Sequence, residues 1–257
     1  MANYGKIVTP LSLLFVAAGI INAENWKFSG IIGANYSETA VSDNWSGGEV
    51  DARSWSAKGE GAAEKDFDQT NWLNTLKLEF GKASLGTLPE QENADLIDFD
   101  SVYSYKMNDY INPYLAFTVD SQFTEFFDPS LLSESAGIGW LLITQERQNL
   151  KTRLGGALRQ TVISGMDTES DAGAESITNY DLKLNEYAKL VSELKMFTAF
   201  DASVDTRWDT SLYCKLGKYL TAQIGYLLVN TGIPGVETSD TVQTRFTFGL
   251  GFSYNLF

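Results

Sequence analysis

Histidine is absent from this 257-residue chain, cysteine occurs once, at Cys214, and proline five times. Without imidazole there is no side chain that exchanges protons near neutral pH unperturbed, which removes His-based hydrolase mechanisms and His-ligated zinc. One cysteine cannot close a disulfide within the chain. Cys214 lies in apolar phase with Leu212 and Leu216 and reads as a small hydrophobe. Bases are also scarce: 19 Lys and Arg stand against 33 Asp and Glu, a formal net charge of −14, which argues against nucleic acid as a partner. What the chain does have is 12 Tyr, 15 Phe and 6 Trp, a mixture that favours strands over helices.

Long apolar runs are missing everywhere except the start. Residues 1–23, MANYGKIVTPLSLLFVAAGIINA, carry Lys6 in a short leading region, an apolar stretch from Ile7 to Ile21 and Ala23 before Glu24. That is the pattern of a cleaved signal peptide, and Pro10 inside the run speaks against a retained spanning helix. The expected organisation is a signal peptide over 1–23 and one domain over 24–257.

That domain reads as strands with two unlike faces. In the closing segment RFTFGLGFSYNLF, Phe246, Phe248, Leu250, Phe252, Tyr254 and Leu256 alternate with small or polar residues. A period of two places them on one face of a strand. The run is longer than the usual strand of a soluble protein and long enough for a tilted strand to cross a bilayer. Similar alternation recurs in NWKFSGIIGANYS, NWLNTLKLEF, IDFDSVYSYKM, LKTRLGGALRQTVI and YAKLVSELKMFTAF, among others, about twelve segments in all. Connections between them alternate long and short, as in an up-and-down membrane barrel with long loops at one end. The fold expected is therefore all-β: a transmembrane antiparallel up-and-down β-barrel of about 12 strands.

Opposite the greasy face the phase places charges, including Lys77, Asp98, Asp100, Lys106, Lys151, Arg153, Arg159 and Lys195, which are the expected lumen-lining residues. On this reading Lys and Arg outnumber acids in the wall. The remaining acids fall in loops, with Glu90, Glu92 and Asp95 in one and Asp167, Glu169, Asp171 and Glu175 in another. An open lumen would then favour small anions. Trp26, Trp72, Tyr105, Tyr114, Trp140, Trp208, Tyr219 and Tyr254 are candidates for interfacial girdles.

These features together resemble Gram-negative outer-membrane β-barrels. The segments SDNWSGGE, NTLKLEFGKASLG, DLIDFDSVYSYKM and TRLGGALRQ are similar to uncharacterised families that include the salt-induced outer-membrane proteins. The resemblance implies the cell outer membrane as location. It also implies contact with outer-membrane lipid and lipopolysaccharide, and a last strand with Phe252, Tyr254 and Phe257 read by the barrel assembly machinery. Phe257 falls one step out of phase with Tyr254 and Phe252, which calls for a local bulge. The resemblance brings no catalytic residues.

Three functions fit this reading. The first is a small channel for hydrophilic solutes, or a structural wall protein. The second is a plugged barrel whose acidic loops bind divalent cations, lipopolysaccharide or a partner. The third is carboxylate chemistry at Asp98 and Asp100, two apart on a strand and so about 7 Å apart on one face. Pairing of those acids with Lys77, Lys106 or Arg153 is the structural alternative, and no enzyme activity, cofactor or metal is expected. Solute and oligomeric state are not written in the sequence.

Overall fold

A computed structural model describes residues 26–39, 52–200, 204–230 and 242–254. The signal-peptide segment 1–23, Trp45, Leu256 and Phe257 lie outside the described residues. Twelve strands run in chain order: β1 (Trp26–Thr39), β2 (Ala52–Asp66), β3 (Thr70–Leu85), β4 (Gln91–Tyr105), β5 (Ile111–Ser121), β6 (Ser130–Thr144), β7 (Gln148–Val162), β8 (Glu169–Lys183), β9 (Ala188–Ala199), β10 (Val204–Lys215), β11 (Leu220–Asn230) and β12 (Val242–Tyr254). Each pairs antiparallel with the next, and β12 returns to β1 through Gly30↔Tyr254 to Ala34↔Leu250, closing the barrel. The all-β up-and-down barrel of the sequence reading is the observed fold.

The two faces are inverted relative to a soluble protein. Phe246, Phe248 and Phe252 on the outer face are 77%, 67% and 67% exposed, whereas Glu79, Asp98 and Arg153 on the inner face are 5%, 3% and 9% exposed. Apolar outside and charged inside is stable only if lipid is the outer solvent. Closure leaves no strand edge, so every strand finds backbone partners on both sides, as a bilayer demands.

At one end the chain turns tightly, at 67–69, 106–110, 145–147, 184–187 and 216–219. Side chains fix some of these turns: the Asn108 carboxamide accepts from the Tyr110 and Ile111 amides at 2.8 Å, and Asn185 accepts from the Tyr187 amide at 2.8 Å. The opposite end differs from the sequence reading. Residues 81–95 and 164–175, expected as long loops, are mostly strand: β3 runs to Leu85, β4 begins at Gln91 and β8 begins at Glu169. The ladder extends into charged sequence because its hydrogen bonds are backbone bonds, indifferent to whether the side chains suit lipid. Segments 40–51 and 231–241, two of the expected long loops, lie outside the described residues.

Most of the expected girdle residues that are described point outward. The Trp72 indole donates to Ser101 Oγ at 3.0 Å, and the Trp208 indole to Ser192 Oγ at 2.9 Å, so each wall-facing N–H finds a partner on the neighbouring strand. Tyr114 is the exception. It points into the lumen at 5% exposure, because the register places it beside Gly137 and Gly155, where a Cβ at Gly155 would lie 2.5 Å from its hydroxyl. The two facing glycines leave a gap that the aromatic ring fills.

Candidate functional site in the charged lumen

Inside the barrel, period-two alternation sends every second side chain toward the axis, and closure brings far walls together. Lys77 on β3 and Glu193 on β9 stand six strands apart around the ring, yet Lys77 Nζ lies 2.6 Å from Glu193 Oε1. Lys195, two residues on from Glu193, lies 2.8 Å from Asp98 of β4 and 3.7 Å from Glu193. The four side chains form a chain of alternating charge straight across the lumen.

Further pairs brace this layer. Arg153 of β7 donates to both carboxylate oxygens of Asp100 at 3.1 Å and approaches Glu175 of β8 at 3.6 Å, while Ser135 Oγ donates to Glu175 at 3.0 Å. The same guanidinium lies 5.5 Å from the Tyr114 ring centre. On the other side Arg245 of β12 meets Glu79 of β3 at 2.5 Å, and Lys58 meets Glu60 at 2.6 Å, with the Tyr213 hydroxyl donating to Glu60 at 3.1 Å. Toward the loop end Arg159 pairs with Asp205 of β10 and stacks 3.7 Å from the Phe197 ring centre. Such pairs offset the cost of taking charges out of bulk water only when geometry is good and further hydrogen bonds are made.

Six of the eight residues expected in the lumen take part in, or adjoin, this network: Lys77, Asp98, Asp100, Arg153, Arg159 and Lys195. Lys106 does not. It lies just past the end of β4, where it meets Asp66 at 2.6 Å and donates to the Phe67 carbonyl at 2.5 Å, tying two neighbouring turns together. Lys151 shares the Arg153 face but is exposed near that same turn end. Of the proposed assembly residues, Phe252 faces outward, Tyr254 pairs with Gly30, and Phe257 lies outside the described residues.

Glu175 was expected in a loop and is instead a buried lumenal acid, 6% exposed, because β8 begins six residues before it. Its phase with Gly173 and Ile177 was the available signal. Asp205 and Arg207 were likewise not singled out by the sequence reading. With Glu175 and Asp205 inside, the excess of lumenal bases over acids narrows, and many of these charges are paired. Asp98 and Asp100 are both ion-paired, to Lys195 and Arg153.

Comparison with known proteins places most of the chain. A family described as "Protein of unknown function, DUF481" matches residues 48–254. No curated protein matches. Among solved structures, a NanC porin aligns with TM-score 0.46 and 10% identity over 89% of this chain and 100% of that one. An outer-membrane channel from Pseudomonas putida F1 aligns with TM-score 0.47 and 12% identity over 88% and 94%. The translocator domain of the autotransporter NalP from Neisseria meningitidis aligns with TM-score 0.43 and 12% identity over 95% and 94%.

Proposed function

From a chain that belongs to the DUF481 family and closes a twelve-stranded barrel with an apolar outer wall, we propose an outer-membrane channel for small hydrophilic solutes. Its passage is narrowed at mid-height by the Lys77–Glu193–Lys195–Asp98 chain of charges. The observation that carries this reading is the inversion of faces together with a lumen lined by hydrated-type side chains. A barrel that served only as a wall would gain by filling its interior with apolar residues, since paired buried charges contribute little or nothing to stability over well-packed hydrophobes.

The charges control passage. Paired across the lumen, they obstruct it, and a solute that displaces one partner must offer equivalent contacts. Because acids and bases balance within the pairs, selectivity between small anions and cations is expected to be weak. Asp98 and Asp100 act as structural partners of their cations, with no hydrolytic role. The barrel sits in outer-membrane lipid and lipopolysaccharide, inserted by the barrel assembly machinery acting on β12.

The test is single-channel conductance of the refolded barrel in a planar bilayer. Wild type is expected to show small or flickering steps. The double variant Lys77→Ala with Glu193→Ala, which removes both halves of the cross-lumen contact, should raise unitary conductance at least threefold. Silence from both, with folding verified by heat-modifiable mobility, would replace the channel by a plugged barrel.

A further inference from the structure

Between the mid-height charges and the loop end lies a cavity of about 230 Å³, lined among others by Thr118, Asp120, Ser133, Arg159, Asp205 and Arg207. Most of the charges around it are satisfied. Arg159 pairs with Asp205, Lys195 with Asp98, and Glu175 with Arg153. Two are not. Among the described residues neither Asp120 nor Arg207 has an ion pair or side-chain hydrogen bond, and the buried Arg207 Nε has no acceptor.

These two come from β5 and β10, five strands apart around the ring, and both point into the same space. Most other lumenal charges have found counter-ions, Asp209 of β10 being a further acid without one among the described residues, and an acid and a base that line one cavity without pairing are a cost without a structural return. The neutral hydrogen-bonding groups beside Asp120 on the same cavity wall, Thr118 and Ser133 Oγ, the latter buried without a partner, would suit polar atoms of a guest.

We infer that this cavity binds a small zwitterion, with its carboxylate held by Arg207 and its ammonium by Asp120. Arg207 offers a planar fork matched to a carboxylate, and Asp120 accepts from an ammonium. At the volume a water occupies, about 230 Å³ accommodates roughly seven or eight heavy atoms, the size of a small amino acid. A solute with only one charge would leave the other wall residue unmet, so the site discriminates by requiring both. The inference rests on the channel reading for its biological sense, since it names the solute class, but the binding itself does not require conduction.

The experiment is isothermal titration of the refolded full barrel in detergent with glycine, β-alanine, 4-aminobutyrate and 5-aminopentanoate, and with acetate and ethylamine as one-charge controls. At least one zwitterion should bind saturably and at least tenfold more tightly than either control. Asp120→Asn and Arg207→Gln should each weaken it tenfold or more, and neither breaks an ion pair, so both should fold with wild-type heat-modifiability. The exchange Asp120→Arg with Arg207→Asp should restore binding, with the guest reversed. No saturable binding by any zwitterion to the folded barrel, or binding untouched by both single substitutions, overturns the inference. Binding without conductance in the bilayer would retain the site and reject the channel.

Discussion

Single side chains in this barrel divide by which solvent they meet. Glu193 is shared by Lys77 and Lys195, so Glu193→Gln would remove the ion pair of Lys77 and leave Lys195 with Asp98 alone. Removing one partner of such a group should cost roughly 3 kcal/mol, seen as a lower urea midpoint. Replacing Lys77 and Glu193 together by Met and Leu should recover most of it. Glu134 of β6 tells the opposite story. It points outward between Phe117 and Leu158, beside a shallow groove floored by Ala136, Gly156 and Ala172. An acid on the lipid face is unfavourable, so Glu134→Leu should raise the thermal midpoint in phospholipid vesicles; a fall would show that Glu134 has a partner there.

Elements depend on features that no isolated strand reveals. The β6–β7 ladder passes through Gly137↔Gly155, where a Cβ at Gly137 would sit 2.1 Å from the Leu154 carbonyl oxygen. Only a bare backbone fits that approach, and Tyr114 covers the space from β5. Gly155→Ala should therefore displace Tyr114 and the Arg153 stacked on it, lowering stability by about 1–3 kcal/mol in urea unfolding. The outer face of β12 gives a second prediction at this scale. Phe248→Arg should cost about 2–4 kcal/mol in lipid vesicles, whereas Thr247→Arg, one residue away on the lumenal face, should cost far less. Equal effects would contradict the assignment of faces.

For the molecule as a whole, the question is what closure does to the charges. A sheet left flat would keep β3 and β9 far apart, with Lys77 and Glu193 each in water. Rolled into a twelve-membered ring, the same register presses them into contact at 2.6 Å. The cross-lumen contact is therefore a property of the closed barrel, and it connects the fold to the proposed function: on the channel reading, the residues that span the lumen are those a solute must pass. A strand-spanning network of this kind should also couple stability to conductance. Variants that widen the passage should unfold at lower urea, and a variant that opened the pore with no loss of stability would show the pairs to be ornamental to the fold.

The sequence by itself determined the two faces, the twelve strands and the identity of most inward side chains. Each of these follows from a local rule, that successive side chains alternate across a strand and that lipid and water select opposite chemistry. Phe246, Phe248, Leu250 and Phe252 declared the outer wall; Lys77, Asp98, Asp100 and Arg153 declared the inner one. Strand ends were less legible, since backbone pairing carries β8 back to Glu169 through residues that look like loop, and so Glu175 was missed as a lumenal acid. Only the tertiary structure decided which charges meet. Asp98 chose Lys195 over its cross-strand neighbour Lys77, and Asp120 and Arg207 were left facing one cavity. Those choices depend on the ring size and stagger that set which side chains project to the same height on different walls, and no residue's own neighbourhood along the chain contains that information.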